Sequence, residues 1–262
     1  MIKANHGKQK TNQNMTYLMN KILSTRNKSF ENQLSYYLDL RKRNSDSKTL
    51  TVRKILKDIK KNKDASLIKY EKKFNGTKKL NKKSLYFSKF EIKKNLKLLN
   101  KRTKKDIDLA YNRILSFHKN QKIKTFSVTD KFKNRFAYRI KPIEKIGVYV
   151  PGGKASYPSS VLMNCIPAIV AGVPEIFMTV PSLNKNINPG VLYAAKKCKV
   201  KKIYKLGGAQ AIAAFAYGTD VVEKVDKIIG PGNEFVSLAK KEVFGEVGID
   251  MFAGPSEVTV IA

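Results

Sequence analysis

The chain has 262 residues, a formal net charge of +33 and 42% hydrophobic side chains. That apolar fraction is enough for a real core and excludes a disordered chain, and the length allows one large or two ordinary domains. The charge invites a nucleic-acid reading, but only eight of the 53 basic residues are Arg, the residue on which bidentate recognition of phosphate and guanine leans. The excess is Lys, accompanied by much Asn and Ile, which marks a bias in amino-acid usage more than a nucleic-acid surface.

The charge is unevenly spread. Residues 1–141 carry 40 basic and 10 acidic side chains, against 13 and 10 in residues 142–262, and all nine prolines and 13 of the 15 glycines lie from Pro142 onward. A boundary near residue 141 follows. The N-terminus has no apolar run of the signal-peptide kind. The most hydrophobic stretch, VLMNCIPAIVAGV, is interrupted by Asn164 and Pro167 and is too short to span a bilayer. Cys165 and Cys198 lack CxxC spacing and read as core thiols of a reducing compartment. The expectation is a soluble cytoplasmic protein with no membrane and no nucleic-acid partner.

In chain order, residues 1–45 are polar and weakly patterned and predict a partly disordered tail with a helix or two. Residues 46–141 predict a mainly helical region that forms part of a first domain. Val52, Ile55, Leu56 and Ile59 recur at helical spacing, and Leu67, Tyr70 and Phe74 do so again before Asn75-Gly76, a stop signal. Ser88 followed by Glu91 forms a capping box. A further helix carries Ile107, Ala110, Tyr111, Ile114 and His118 along one face. His118 is a packed or capping residue on this reading, and His6, in the tail, has no role.

After Pro142 the pattern becomes short apolar strands alternating with helices. IGVYV, EIFMTV, KKIYKL and DKIIG are strand-like, and SSVLMNCIPAIVAG, PGVLYAAKKC and AQAIAAFAYG fill the gaps with helical spacing. Such βαβ units predict a parallel sheet. The fold class is therefore α/β: a helical N-terminal region, then an incomplete Rossmann-like parallel sheet domain over 142–249. Residues 250–262 are expected to be a strand returning toward the first domain.

Each strand runs into a turn of small or polar residues: PGGKASYP, PSLNKNIN, GGAQ and GPGN. In an open parallel sheet ligands bind beyond the carboxyl ends of the strands. The glycines permit close backbone approach, and the helix N-termini that follow are expected to offer free N–H groups to an anionic ligand. Gln210 and Asn233 project amides there, each able to donate and accept. The dinucleotide fingerprint G-x-G-x-x-G is absent, so spacing alone predicts a nucleotide or small polar ligand without naming it.

GVYVPGGKASYPSSVLMNCIPAIVAGV, KLGGAQAIAAFAYGT, KVDKIIGPGNEFVSLAKKEVFG and DMFAGPSEVTVIA closely resemble, in order and spacing, segments of the histidinol dehydrogenase family. The resemblance runs over about residues 45 to 262 and is dense from 142 onward. It implies a zinc-dependent homodimer with incomplete Rossmann-like domains that oxidises L-histidinol through an aldehyde to L-histidine with two NAD. The family's NAD contacts match Tyr149, Gln210 and Asn233, and its substrate contact in A-G-P-S-E matches Ser256. For Tyr149, whose strand position alone suggests core packing, the family motif decides.

In that family the zinc ligands and the glutamate–histidine pair for acid–base catalysis follow the strand that resembles EVTVIA. The expectation is that this chain is truncated before those segments, with no catalytic and no metal residues within it, and is catalytically silent alone. Two other readings are a related zinc and NAD dehydrogenase of another small alcohol and a non-enzymatic basic protein that binds nucleic acid.

Overall fold

The computed structural model describes residues 23–76, 80–152, 157–181 and 187–252. For residues 38–46 and 75 it describes the backbone alone. The chain divides into two units, Met1–Lys48 and Thr49–Ala262. In the described part of the first, Asn27 Oδ1 accepts the Ser29 backbone N–H at 3.0 Å just before a long helix begins.

That helix, α1 (Phe30–Asn75), is broken at Lys63, whose φ of +47° and ψ of −126° are non-helical. The break falls between the two apolar runs of the sequence. Ile55, Leu56 and Ile59 before it and Leu67 and Tyr70 after it are all buried in one cluster. Lys63 Nζ donates to the carbonyls of Tyr217 and Gly218, each at 3.1 Å, a cation placed on the last carbonyls of another helix. A single 3₁₀ turn (Lys82–Leu85) follows, and then α2 (Lys89–Leu96). The capping box holds: Ser88 Oγ accepts the Glu91 N–H at 3.1 Å and Glu91 Oε2 accepts the Ser88 N–H at 2.8 Å. In α3 (Lys101–Lys119), His118 lies in the last turn, with its Nδ1 2.6 Å from Gln121 Oε1.

The N-terminal half is not helical throughout. β1 (Phe126–Thr129) and β2 (Arg135–Tyr138) pair antiparallel, every strand residue is exposed, and Asp130 Oδ1 closes the turn by accepting from the N–H groups of Phe132 and Asn134. The helical reading missed this hairpin. Phe126 faces Tyr138 and Val128 faces Phe136, so the period-2 alternation gathers four apolar side chains on one face.

From residue 145 the alternation is as the sequence dictates: β3 (Lys145–Tyr149), α4 (Pro158–Ala171), β4 (Glu175–Thr179), α5 (Pro189–Lys197), β5 (Lys202–Tyr204), α6 (Gly208–Tyr217), β6 (Lys227–Ile229), α7 (Glu234–Val243) and β7 (Gly248–Ile249). The five strands form one parallel sheet in the order β5-β4-β3-β6-β7. The chain starts in the middle at β3, builds outward through β4 and β5, and then crosses back to place β6 on the other side of β3. The join between β3 and β6 is the switch point of a doubly wound sheet.

Both faces of the sheet are covered, as parallel sheets require. On one, Ile146, Val148, Met178 and Ile203 meet the apolar sides of α4 and α5. On the other, Tyr149, Phe177, Tyr204 and Ile228 meet α1, α6 and α7. Cys165 and Cys198 are both buried free thiols on the first face. Their mutual hydrogen bond, then burial, holds the Cys165 thiol well above its ordinary pKa. Among the described residues, no helix is long and apolar enough to cross a membrane.

Candidate functional site

Beyond the carboxyl ends of the strands lies a cavity of about 330 Å³. Every strand from β3 to β6 contributes to it. Tyr149, Pro151 and Gly152 come from the end of β3, Pro181 from β4, Gly207 to Gln210 from β5, and Asn233 and Phe235 from the turn after β6. Phe74, from the last turn of α1, closes one side.

Three residues singled out from the sequence meet here. Tyr149 is buried, at 3% exposure, and its ring belongs to the core while its hydroxyl reaches the α6 turn and accepts the Gly208 N–H at 3.1 Å. Core packing and a place at the site are therefore both true of it. Burial, opposed by the Gly208 N–H and reinforced by the nearby Glu71 charge, pushes its pKa up to about 12. The phenol keeps its proton at neutral pH and can donate it toward a ligand.

Asn233 is the N-cap of α7, and its Oδ1 accepts the Val236 N–H at 3.1 Å. Its acceptor is thus committed to the helix, and its NH₂ is the half that a ligand can use. Gln210, 2% exposed, donates Nε2 to Glu71 Oε1 at 2.9 Å. Its donor is thus committed, and its carbonyl is the remaining half. The sequence reading gave both amides both capacities; the structure divides them.

The expectation of free helix N-termini needs correction at α6 and α7. At the start of α6 the Gly207 N–H goes to Glu71 Oε1 at 3.0 Å and the Gly208 N–H to Tyr149. At α7 Asn233 is the cap. At α4 the N-cap Tyr157 makes no side-chain cap bond and Pro158 opens the helix. Gly207, the N-cap of α6, likewise makes no side-chain cap bond of its own, so of the three only α7 is capped by its N-cap side chain.

The turn after β6 is held from both sides. Lys240, 4% exposed, donates to the Gly230 carbonyl at 2.6 Å and to Asp250 Oδ1 at 2.5 Å, while Asp250 Oδ2 accepts the Gly230 N–H at 2.8 Å. This bracket fixes the turn that carries Asn233. Ser256 and the EVTVIA segment lie outside the described residues, so the structure says nothing of their place.

Sequence reasoning missed Glu71, which is 2% exposed and sits beneath the site. The signal was present: Leu67 and Glu71 fall at i and i+4 beside Tyr70, and all three are buried, so an acid stands on the buried stripe of an amphipathic helix. Phe74 and Phe235, at the rim, carried no such mark.

The model of the histidinol dehydrogenase family matches residues 39–262. The chain belongs to that family. Histidinol dehydrogenase of Pelagibacter ubique (strain HTCC1062) is 53% identical over 245 residues, which is 93% of this chain and 56% of that protein. That of Acinetobacter baylyi is 43% identical, over 93% of this chain and 57% of its own length. Among solved structures, histidinol dehydrogenase from Elizabethkingia anophelis superposes with a TM-score of 0.74 at 40% identity, covering 79% of this chain and 47% of that one. The chain spans about half the length of the curated relatives it matches.

Proposed function

We propose that this chain is the cofactor-binding portion of an enzyme that oxidises L-histidinol through the aldehyde to L-histidine with two NAD. The observation that carries the proposal is the cavity at the sheet's switch point, bordered by the three family-motif residues Tyr149, Gln210 and Asn233. NAD supplies the hydride acceptor when bound. The chain's own groups offer it one phenolic donor, one amide donor and one amide carbonyl, within a cavity walled by Phe74, Phe235 and two prolines. Such a mostly apolar cleft with a few directed polar groups is the usual character of a cofactor site. Ser256 is proposed as the contact to histidinol.

Zinc stands differently. Among the described residues, no group of three His, Cys, Asp or Glu side chains converges to hold a metal ion. The described residues therefore do not fit a zinc centre. Zinc dependence and the homodimer are proposed for the whole enzyme on family membership. A cytoplasmic location is proposed on the same footing, with Cys165 and Cys198 read as core thiols of a reducing compartment. The four ranges read from the sequence, 1–45, 46–141, 142–249 and 250–262, stand as part of the same proposal.

The test is kinetic. In the native polypeptide as its gene encodes it, Gln210→Ala and Asn233→Ala raise the KM for NAD roughly tenfold, as expected for a lost ligand hydrogen bond, and leave the KM for histidinol near its wild-type value. Unchanged KM for NAD in both variants would refute the site.

A further inference from the structure

Glu71 is not one of the family-motif residues at the cavity, yet two of the cavity's polar groups end on it. The same oxygen, Oε1, accepts the Gly207 N–H at 3.0 Å and the Gln210 Nε2 at 2.9 Å. An oxygen that already accepts a backbone N–H leaves Gln210 one choice: its NH₂ must face Glu71, because its carbonyl would meet an acceptor there. The amide is thereby locked in one of its two orientations. Its carbonyl oxygen rests over Gly208, where a Cβ would come within 2.9 Å of it, and both residues line the cavity. Among the described residues, nothing donates to that oxygen.

From this arrangement we infer that Glu71 is a positioning residue for the cofactor, acting through Gln210. It forces the cavity to present a hydrogen-bond acceptor at this point, so the group seated there must be a donor such as a ribose hydroxyl, and an acceptor-only phosphate is refused. Glu71 also holds the Gly207 N–H, so the turn after β5 and the amide are set by one buried carboxylate. Placing an acid on the buried stripe of α1 costs stability, and the orientation of Gln210 is what the placement achieves. The inference rests on the reading of the cavity as the NAD site.

The experiment is a double-mutant cycle on the native polypeptide, using NAD as the titrant. Glu71→Leu removes the acceptor, frees the amide to turn, and is expected to weaken NAD binding roughly tenfold or more, the range for an orphaned buried hydrogen-bond partner. In a Gln210→Ala background the same change is expected to add less than about twofold, because the two residues act as a unit. Glu71→Asp, which keeps the charge and withdraws the oxygen by one methylene, repeats the cycle should the leucine variant not fold. The loss is expected in the KM for NAD, with kcat held within about twofold. A merely structural role would lower the active fraction and so kcat, leaving KM unmoved. Losses that multiply between Glu71 and Gln210, or Glu71 variants with wild-type NAD affinity, overturn the inference while the NAD site stands. A wild-type protein that binds no NAD takes both down.

Discussion

Replacing Gly230 by Ala tests how tightly the cavity's walls are built. Gly230 has a φ of +106°, and an added Cβ would lie 2.2 Å from the Tyr149 carbonyl oxygen and 3.1 Å from the carbonyl carbon. Those atoms belong to the central strand β3, which pairs with β4 on one side and β6 on the other, so they cannot withdraw without breaking a ladder. Gly245 supplies the control, with a similar φ of +100° and nothing within 4 Å of its would-be Cβ. Left-handed strain alone costs about 1–2 kcal/mol, and overpacking against a rigid neighbour adds about 1–3 kcal/mol. Gly245→Ala is therefore expected to lose the first amount and Gly230→Ala the sum, roughly 2–5 kcal/mol out of a total that for most domains is about 5–15 kcal/mol. Urea unfolding of the two variants and the parent, compared at equal m-value, measures both. Equal losses in the two variants would refute the claim that β3 and the turn after β6 are in unyielding contact.

Further outcomes follow from the same geometry. Lys240→Met leaves Asp250 charged without its lysine and is expected to cost about 3–5 kcal/mol, with the Lys240→Met/Asp250→Asn pair recovering much of it; equilibrium unfolding that shows Lys240→Met as neutral would contradict the bracket. Tyr70, Tyr149 and Tyr204 each have a pKa pushed up from the ordinary 10.0 of a tyrosine to about 12, with burial the first cause. Between those values the unfolded chain releases phenolic protons that the native state keeps, so stability falls as pH rises from about 10 to 12. A native protein whose tyrosines all ionise together near pH 10 would count against it. A purified polypeptide of these 262 residues alone is expected to make no NADH from L-histidinol, and sustained NADH production would overturn that expectation.

The strands and helices after Pro142 were legible because their apolar runs and turn residues agree: β3, β4, β5 and β6 begin within a residue or two of the predicted runs. The capping box of α2 was equally clear, since Ser88 and Glu91 mark it by type and spacing alone. The β1–β2 hairpin was not legible. Its alternation, Phe126-Ser-Val-Thr and Arg135-Phe-Ala-Tyr, is four residues long on each side and set among lysines that dominate the local composition. β7 has only two residues and joins the sheet through the packing of β6, a tertiary decision that leaves no periodicity to read.

At the site, residue types were legible and their states were not. Gln210 and Asn233 were found because amides at helix starts after parallel strands are placed to meet ligands. Which half of each amide is available depended on Glu71 and on the N–H of Val236, one far away in sequence and one a matter of cap geometry. Two of the N–H groups expected free at α6, those of Gly207 and Gly208, were absorbed for the same reason. A glycine turn does offer its amides, and here a buried carboxylate and a tyrosine had already taken them.

The most direct test of the account is a crystal structure of the protein grown with NAD. The dinucleotide is expected in the cavity beyond β3 and β6, with a donor group of the cofactor on the Gln210 carbonyl and an acceptor on the Asn233 amide. NAD bound at another face of the molecule, with the Tyr149, Gln210 and Asn233 cavity unchanged, would contradict it.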